Sequence, residues 1–206
     1  PELDTIGCDD FGGKLTTAFT AHPKLCPQTG ELHFFGYSPL PPFLTYHVLD
    51  AGGALVHSAE IAVPKGTMMH DFMITRDHAI FMDLPIVFDL SNLESPIGWD
   101  DTYGARIGIM PRMGTNADIR WFEIDPCYVF HPLNAYVDDN LVSAMWVVTL
   151  RCRCNRRSIP HRHICTGGRS TWHRVPSTKS GSTRGRTLSR ASMTGSSAFR
   201  TGTAGV

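Results

Sequence analysis

Hydrophobic and polar residues alternate along most of the first 138 positions of the chain. GELHFFGYS, residues 30–38, alternates and is rich in aromatics, as a half-buried strand requires. FLTYHVLDAGGALVHSAEIAVP, residues 43–64, holds two such runs around Asp50-Ala51-Gly52-Gly53, a hairpin signal. HDFMITRDHAIFMDLPIVFDL, residues 70–90, predicts a second pair of strands with TRDH as its turn. ARIGIMPR and IRWFEIDPCYVFHPLNAYVDD continue the pattern. Turn residues recur every ~8–12 positions and no segment carries a helical apolar period, so the chain reads as all-β: sandwich, barrel or propeller. A new pair of strands starts roughly every 45–60 residues, close to the length of a propeller blade.

Charge divides the chain where the alternation stops. The whole sequence is formally neutral, with 19 Lys+Arg and 19 Asp+Glu. Residues 151–206 hold 12 of the basic residues and no acid, which leaves 7 basic against 19 acidic residues in 1–150. Such a split marks two sequences of different character. We expect residues 1–138 to be a β domain. Residues 139–206 are expected to be an aberrant basic, Arg/Ser-rich tail that cannot bury a core.

Three origins for that tail are weighed. A disordered basic segment would bind nucleic acid or acidic surfaces. A zinc site would draw on Cys152, Cys154, His161 and His163, but Cys-x-Cys and His-x-His match the usual ligand spacing poorly. A shifted reading frame explains more. Permitted codons for residues 164–206, read one frame over, spell acidic, strand-like stretches such as VDEVRLD, in keeping with residues 1–150.

The six cysteines follow no framework spacing, which predicts a reducing, cytoplasmic setting. No apolar stretch approaches the ~20 residues of a membrane span, and no signal peptide is recognised. The chain opens on Pro1 and reads as beginning inside a longer protein.

Candidate chemistry rests on histidine. Of the ten in the chain, His33, His47, His57 and His78 sit inside expected strands or turns and read as ordinary hydrogen-bonded or surface residues. His161, His163 and His173 fall in the tail. His22 in TAHPK and His131 in FHPLNAY each precede a proline, which holds them extended. His70 in MMHDFMIT stands just ahead of an expected strand. The three recur at intervals of 48 and 61 residues, about one blade each. Matching points on successive blades would converge on the axis, and three imidazoles there would suit iron, copper, zinc or nickel.

At these residues the sequence resembles a known family. TAHPKLCPQTGELHFFGYS, MMHDFMIT, FMDLPIVFDL and CYVFHPLNAY, in that order, are similar to segments of the carotenoid oxygenases, which include carotenoid, apocarotenoid and lignostilbene dioxygenases. The resemblance spans about residues 4–138. It implies part of a seven-bladed β-propeller with a non-haem Fe(II), Fe(2+), held by four histidines. His22, His70 and His131 match the first three ligands. Nothing in the tail matches the fourth, and the family's ligand-orienting glutamates have no counterpart here.

The implied reaction is oxidative cleavage of one C=C bond of a carotenoid, apocarotenoid or stilbene with O2, giving two carbonyl products. The partners are then O2 and an apolar conjugated small molecule, with peripheral membrane contact as a route of uptake and no nucleic acid. Phe72, Tyr128 and Phe130 are the candidates to line the substrate tunnel, although a phenylalanine in a strand is usually core. As a truncated member, the chain is expected to have impaired activity. The alternative is a non-catalytic acidic β module with a basic, nucleic-acid-binding tail.

Overall fold

The computed structural model describes residues 4–138, 141–147, 149 and 170–176. Every regular element among them is a β-strand. β1 (Lys24–Leu25), β2 (Leu32–Tyr37), β3 (Leu44–Leu49) and β4 (Leu55–Glu60) form one antiparallel sheet in chain order. A second sheet has the order β10-β9-β6-β5, from β5 (Met73–Ile74), β6 (His78–Asp83), β9 (Arg106–Pro111) and β10 (Arg120–Glu123). Between β6 and β9 the chain makes a separate two-stranded hairpin of β7 (Ile86–Phe88) and β8 (Ile97–Trp99). A third sheet joins β11 (Pro132–Asp138), β12 (Leu141–Val147) and β13 (Ser170–Pro176). β12 and β13 thus lie beyond residue 138, the expected end of the β domain. The residues weighed for a zinc site lie outside the described residues.

The period of two explains how the sheets stack. Phe34 and Phe35 are neighbours in β2 and point to opposite faces. Phe35 joins Leu44, Tyr46 and Val48 of its own sheet in a core shared with Ala79, Phe81 and Met110 of the second. Phe34 turns away to pack with Leu49 and Leu55 under Phe11 and Leu15 of the N-terminal segment. The second sheet is covered on both faces: opposite Ala79 and Phe81, the side chains of Ile80, Met82, Ile107 and Ile109 pack with Tyr128, Val142, Ala144 and Trp146 around the third sheet. A buried aliphatic or phenylalanine side chain contributes about 1.5–3 kcal/mol, so these two interfaces hold the three sheets face to face. Face-to-face stacks of four-stranded antiparallel meanders are the blades of a β-propeller.

Two turns are well specified. In the β3–β4 hairpin Asp50 Oδ1 accepts the N–H groups of Gly52 and Ala54, both at 2.9 Å, and Gly53 takes a φ of 83°. Between β5 and β6, the N–H of Thr75 donates to the His78 carbonyl and the Thr75 hydroxyl oxygen accepts the N–H of His78. These are the two turns expected from the sequence. Among the described residues no helix is long and apolar enough to cross a membrane.

Candidate metal centre

β1, β5 and β11 are each the first strand of their sheet and lie at its edge. Each is preceded at once by a histidine: His22 two residues before β1, His70 three before β5, His131 one before β11. Because the sheets stack face to face, their first edges lie side by side, and the three lead-in segments meet. His22 Nε2 is 3.0 Å from His70 Nε2 and 3.3 Å from His131 Nε2. The ring centroids are 4.7, 4.8 and 4.9 Å apart, with the planes inclined at 58°, 81° and 70°. The set lies within 4.8 Å and is the one group of three metal-ligating side chains among the described residues.

The His22–His70 and His22–His131 spacings fit a shared metal ion. Two nitrogens each about 2.1 Å from one ion and at right angles to each other are about 3.0 Å apart. Three rings this close and mutually inclined can present one face of a coordination shell. The His70 ring is favoured in the neutral, ligating form. Burial, and then the neighbouring His22 and His131, hold His70 below the ordinary imidazole value, with Asp71 opposing them. Among the described residues no hydrogen bond reaches an Nδ1 of the three rings.

The other candidates lie at different depths. Phe130 is half-buried and meets His70 edge-on, with centroids 5.2 Å apart, so it borders the centre. Phe72 is fully buried and sits among Phe35, Tyr46 and Phe81 in the core between the first two sheets. Tyr128 is 2 % exposed, and its hydroxyl donates to the Met68 carbonyl at 2.7 Å.

His33, His47, His57 and His78 each have a local hydrogen-bond partner, although the buried His33 Nε2 has none. His33 Nδ1 pairs with the Tyr46 hydroxyl at 2.7 Å, and His47 lies between the Thr17 and Ser58 hydroxyls, both at 2.8 Å. His57 Nε2 donates to the Gly114 carbonyl, and His78 Nδ1 faces the Thr75 hydroxyl. His161 and His163 lie outside the described residues.

Two residues beside the triad carry no sign of their role in the hydrophobic pattern. Lys24 Nζ is 2.7 Å from Asp71 Oδ1, and the Asp71 side chain is buried. Their nearness in sequence to His22 and His70 is the signal that points to them.

The chain is similar in sequence and fold to known proteins. The profile of the family described as retinal pigment epithelial membrane protein matches residues 1–190. The chain is 41% identical over 157 residues to carotenoid 9,10(9',10')-cleavage dioxygenase 1 of Arabidopsis thaliana, covering 74% of this chain and 28% of that protein. It is 36% identical over 178 residues to a carotenoid cleavage oxygenase of Mycobacterium tuberculosis, covering 66% and 36%. Its fold is similar to the crystal structure of lignostilbene dioxygenase from Pseudomonas brassicacearum, with a TM-score of 0.73, 28% identity, and coverage of 84% and 39%.

Proposed function

This chain belongs to the carotenoid oxygenase family, and from that membership we propose that it forms the three-histidine part of a non-haem Fe(II) dioxygenase. The complete enzyme cleaves one C=C bond of a carotenoid, apocarotenoid or stilbene with O2, giving two carbonyl products. The chain spans 28% of the Arabidopsis relative and 36% of the mycobacterial one.

The observation that carries the reading is the convergence of three imidazole nitrogens from three successive sheets on one point. His22, His70 and His131 would hold the iron, and neutral nitrogen donors suit Fe(II) because they leave its charge intact. When bound, iron with open coordination positions supplies the activation of O2 that an alkene alone does not accomplish. The protein's own part is to place the alkene and exclude water. Phe130, edge-on to His70 at the margin of the centre, offers an apolar wall against which a flat conjugated chain can rest. Substrates of this kind partition into lipid, which supports peripheral membrane contact as their route of uptake. Six cysteines without framework spacing favour a cytoplasmic, reducing setting.

The reading is tested by grafting. Residues 4–138 replace the matching segment of the Arabidopsis dioxygenase, and carotenoid cleavage is followed by its carbonyl products. The chimera is expected to cleave, and the same chimera carrying His70→Ala to be inert. A folded, iron-loaded chimera without activity, or an active His70→Ala chimera, overturns the reading. The 206-residue chain alone, given Fe(II) and a stilbene or apocarotenal, is expected to take up little oxygen.

A further inference from the structure

We propose that two polar ties between sheets, Lys24–Asp71 and Tyr128–Met68, set the spacing of His22, His70 and His131. The inference rests on the metal-centre reading above. Its starting point is a weakness in the fold. The two strands that follow His22 and His70 are two residues each. β1 pairs with its neighbour only through Lys24↔His33 and Leu25↔Leu32, and β5 only through Met73↔Ile80 and Ile74↔Ala79. Such short ladders do little to fix the segments ahead of them, whereas β2 and β3 pair along six residues. The histidines also belong to three different sheets, so no ladder links one to another. Something else must hold nitrogens from separate sheets about 3 Å apart.

The two ties do this in sequence around the triad. Lys24 follows His22 by two residues and Asp71 follows His70 directly, so their ion pair joins the first lead-in segment to the second. The carboxylate is oriented from its own side, because Asp71 Oδ1 also accepts the Phe72 N–H at 2.7 Å. The Lys24 ammonium lies 6.0 Å above the Phe72 ring, which continues the same contact into the core. Asp71 is buried while the Lys24 side chain stays 30 % exposed, so the carboxylate end of the pair is shielded from solvent.

The second tie joins the second segment to the third. Tyr128, three residues before His131, donates its hydroxyl proton to the carbonyl of Met68, two residues before His70. Its ring meets Phe130 at 5.0 Å, nearly perpendicular, and Phe130 meets His70 in the same manner at 5.2 Å. Tyr128 is therefore a positioning residue, acting through Met68 and Phe130 and not on substrate. Lys24 and Asp71 are positioning residues too. They do for the lead-in segments what hydrogen bonds to ligand imidazoles do elsewhere, by fixing where each ring points.

The test measures Co(II), a spectroscopic probe for this donor set, bound to the full chain without substrate. Affinity comes from competition with a chelator, and geometry from the visible absorption of the ion. Lys24→Met and Tyr128→Phe are each expected to weaken Co(II) by about tenfold or more and to alter the spectrum. Lys24→Arg, which keeps the charge, is expected to restore both. Tyr46→Phe removes a buried hydrogen bond to His33 away from the triad and serves as the stability control. It should lower the unfolding midpoint and leave Co(II) binding unchanged. His70→Ala separates the two ideas. If it binds Co(II) like the parent, the metal-centre reading fails. If it abolishes binding while Lys24→Met and Tyr128→Phe keep parental affinity and spectrum, the metal centre stands and the ties are overturned. If Tyr46→Phe disturbs Co(II) as much as Tyr128→Phe does, the effect is one of stability and the ties are likewise overturned.

Discussion

The Nε2 atoms of His22 and His131 lie 3.3 Å apart although 109 residues separate them in sequence. Two four-stranded sheets, the β7–β8 hairpin and their turns fit inside that interval, so the contact is a product of how the sheets stack. The same stacking brings His70 to within 3.0 Å of His22.

Core packing is expected to separate two aromatic residues that the sequence treats alike. Phe72→Ala empties a fully buried site among Phe35, Tyr46 and Phe81 and should cost about 3–5 kcal/mol of stability, read from urea unfolding. Phe130→Ala, half-buried beside His70, should cost clearly less. In the grafted enzyme it should raise the KM for substrate. Equal stability losses for the two variants would contradict this assignment.

A buried charge pair secures the second sheet. Arg106 and Asp83 stand opposite each other on β9 and β6, with Nε 2.7 Å from Oδ2 and the Asp83 side chain wholly buried. Burial raises the pKa of Asp83, while Arg106 and the Tyr103 hydroxyl oppose the rise. Arg106→Met strands the carboxylate and is expected to destabilise the chain by about 3 kcal/mol. Adding Asp83→Leu should recover much of that loss. A double variant no more stable than Arg106→Met would count against the pair as the cause.

Acid should loosen the first sheet. Burial, reinforced for His33 by the nearby Arg112 and for His47 by His57, holds both imidazoles at about 4. In the unfolded chain each returns to about 6.5, so between these values the unfolded state binds more protons. The folded state is therefore at full advantage above pH ~6.5 and loses it as pH falls toward ~4, by about 1.4 kcal/mol per unit of separation for each ring. Urea midpoints measured across this range should fall with pH. His33→Gln and His47→Gln together should flatten the slope, and an unchanged slope would assign the effect to other groups.

Much of the fold was legible because it depends on local alternation. β2, β3, β6 and β9 each carry buried runs of apolar residues, and Asp50 and Thr75 stand where the turns need a side-chain acceptor. Other parts have no such local signal. β1 and β5 are too short to show a period. The β7–β8 hairpin forms across SNLESPIGW, where Pro96 and a run of exposed residues hide the second strand. The pairing of β6 with β9 across that insertion depends on tertiary packing alone.

The site divides in the same way. His22 and His131 stand out by the proline that follows each, and the triad emerges from its blade-length spacing. The fates of Phe72, Tyr128 and Phe130 depend on which face of a strand each occupies relative to neighbouring sheets. Lys24 and Asp71 meet only because two sheets pack in one register.

The change of character near residue 138 has its own check in the coding DNA. A frame shift predicts that codons after this point, read one frame over, spell acidic, strand-like sequence. A single frame whose shifted reading runs into stop codons would contradict it.

The central claim, that His22, His70 and His131 together hold one metal ion, is met most directly by anaerobic equilibrium binding of Fe(II) to the full chain. The parent is expected to bind one ion, and His22→Ala, His70→Ala and His131→Ala each to lose most of that affinity while remaining folded. An iron uptake unchanged in all three variants, or none in the folded parent, would contradict it.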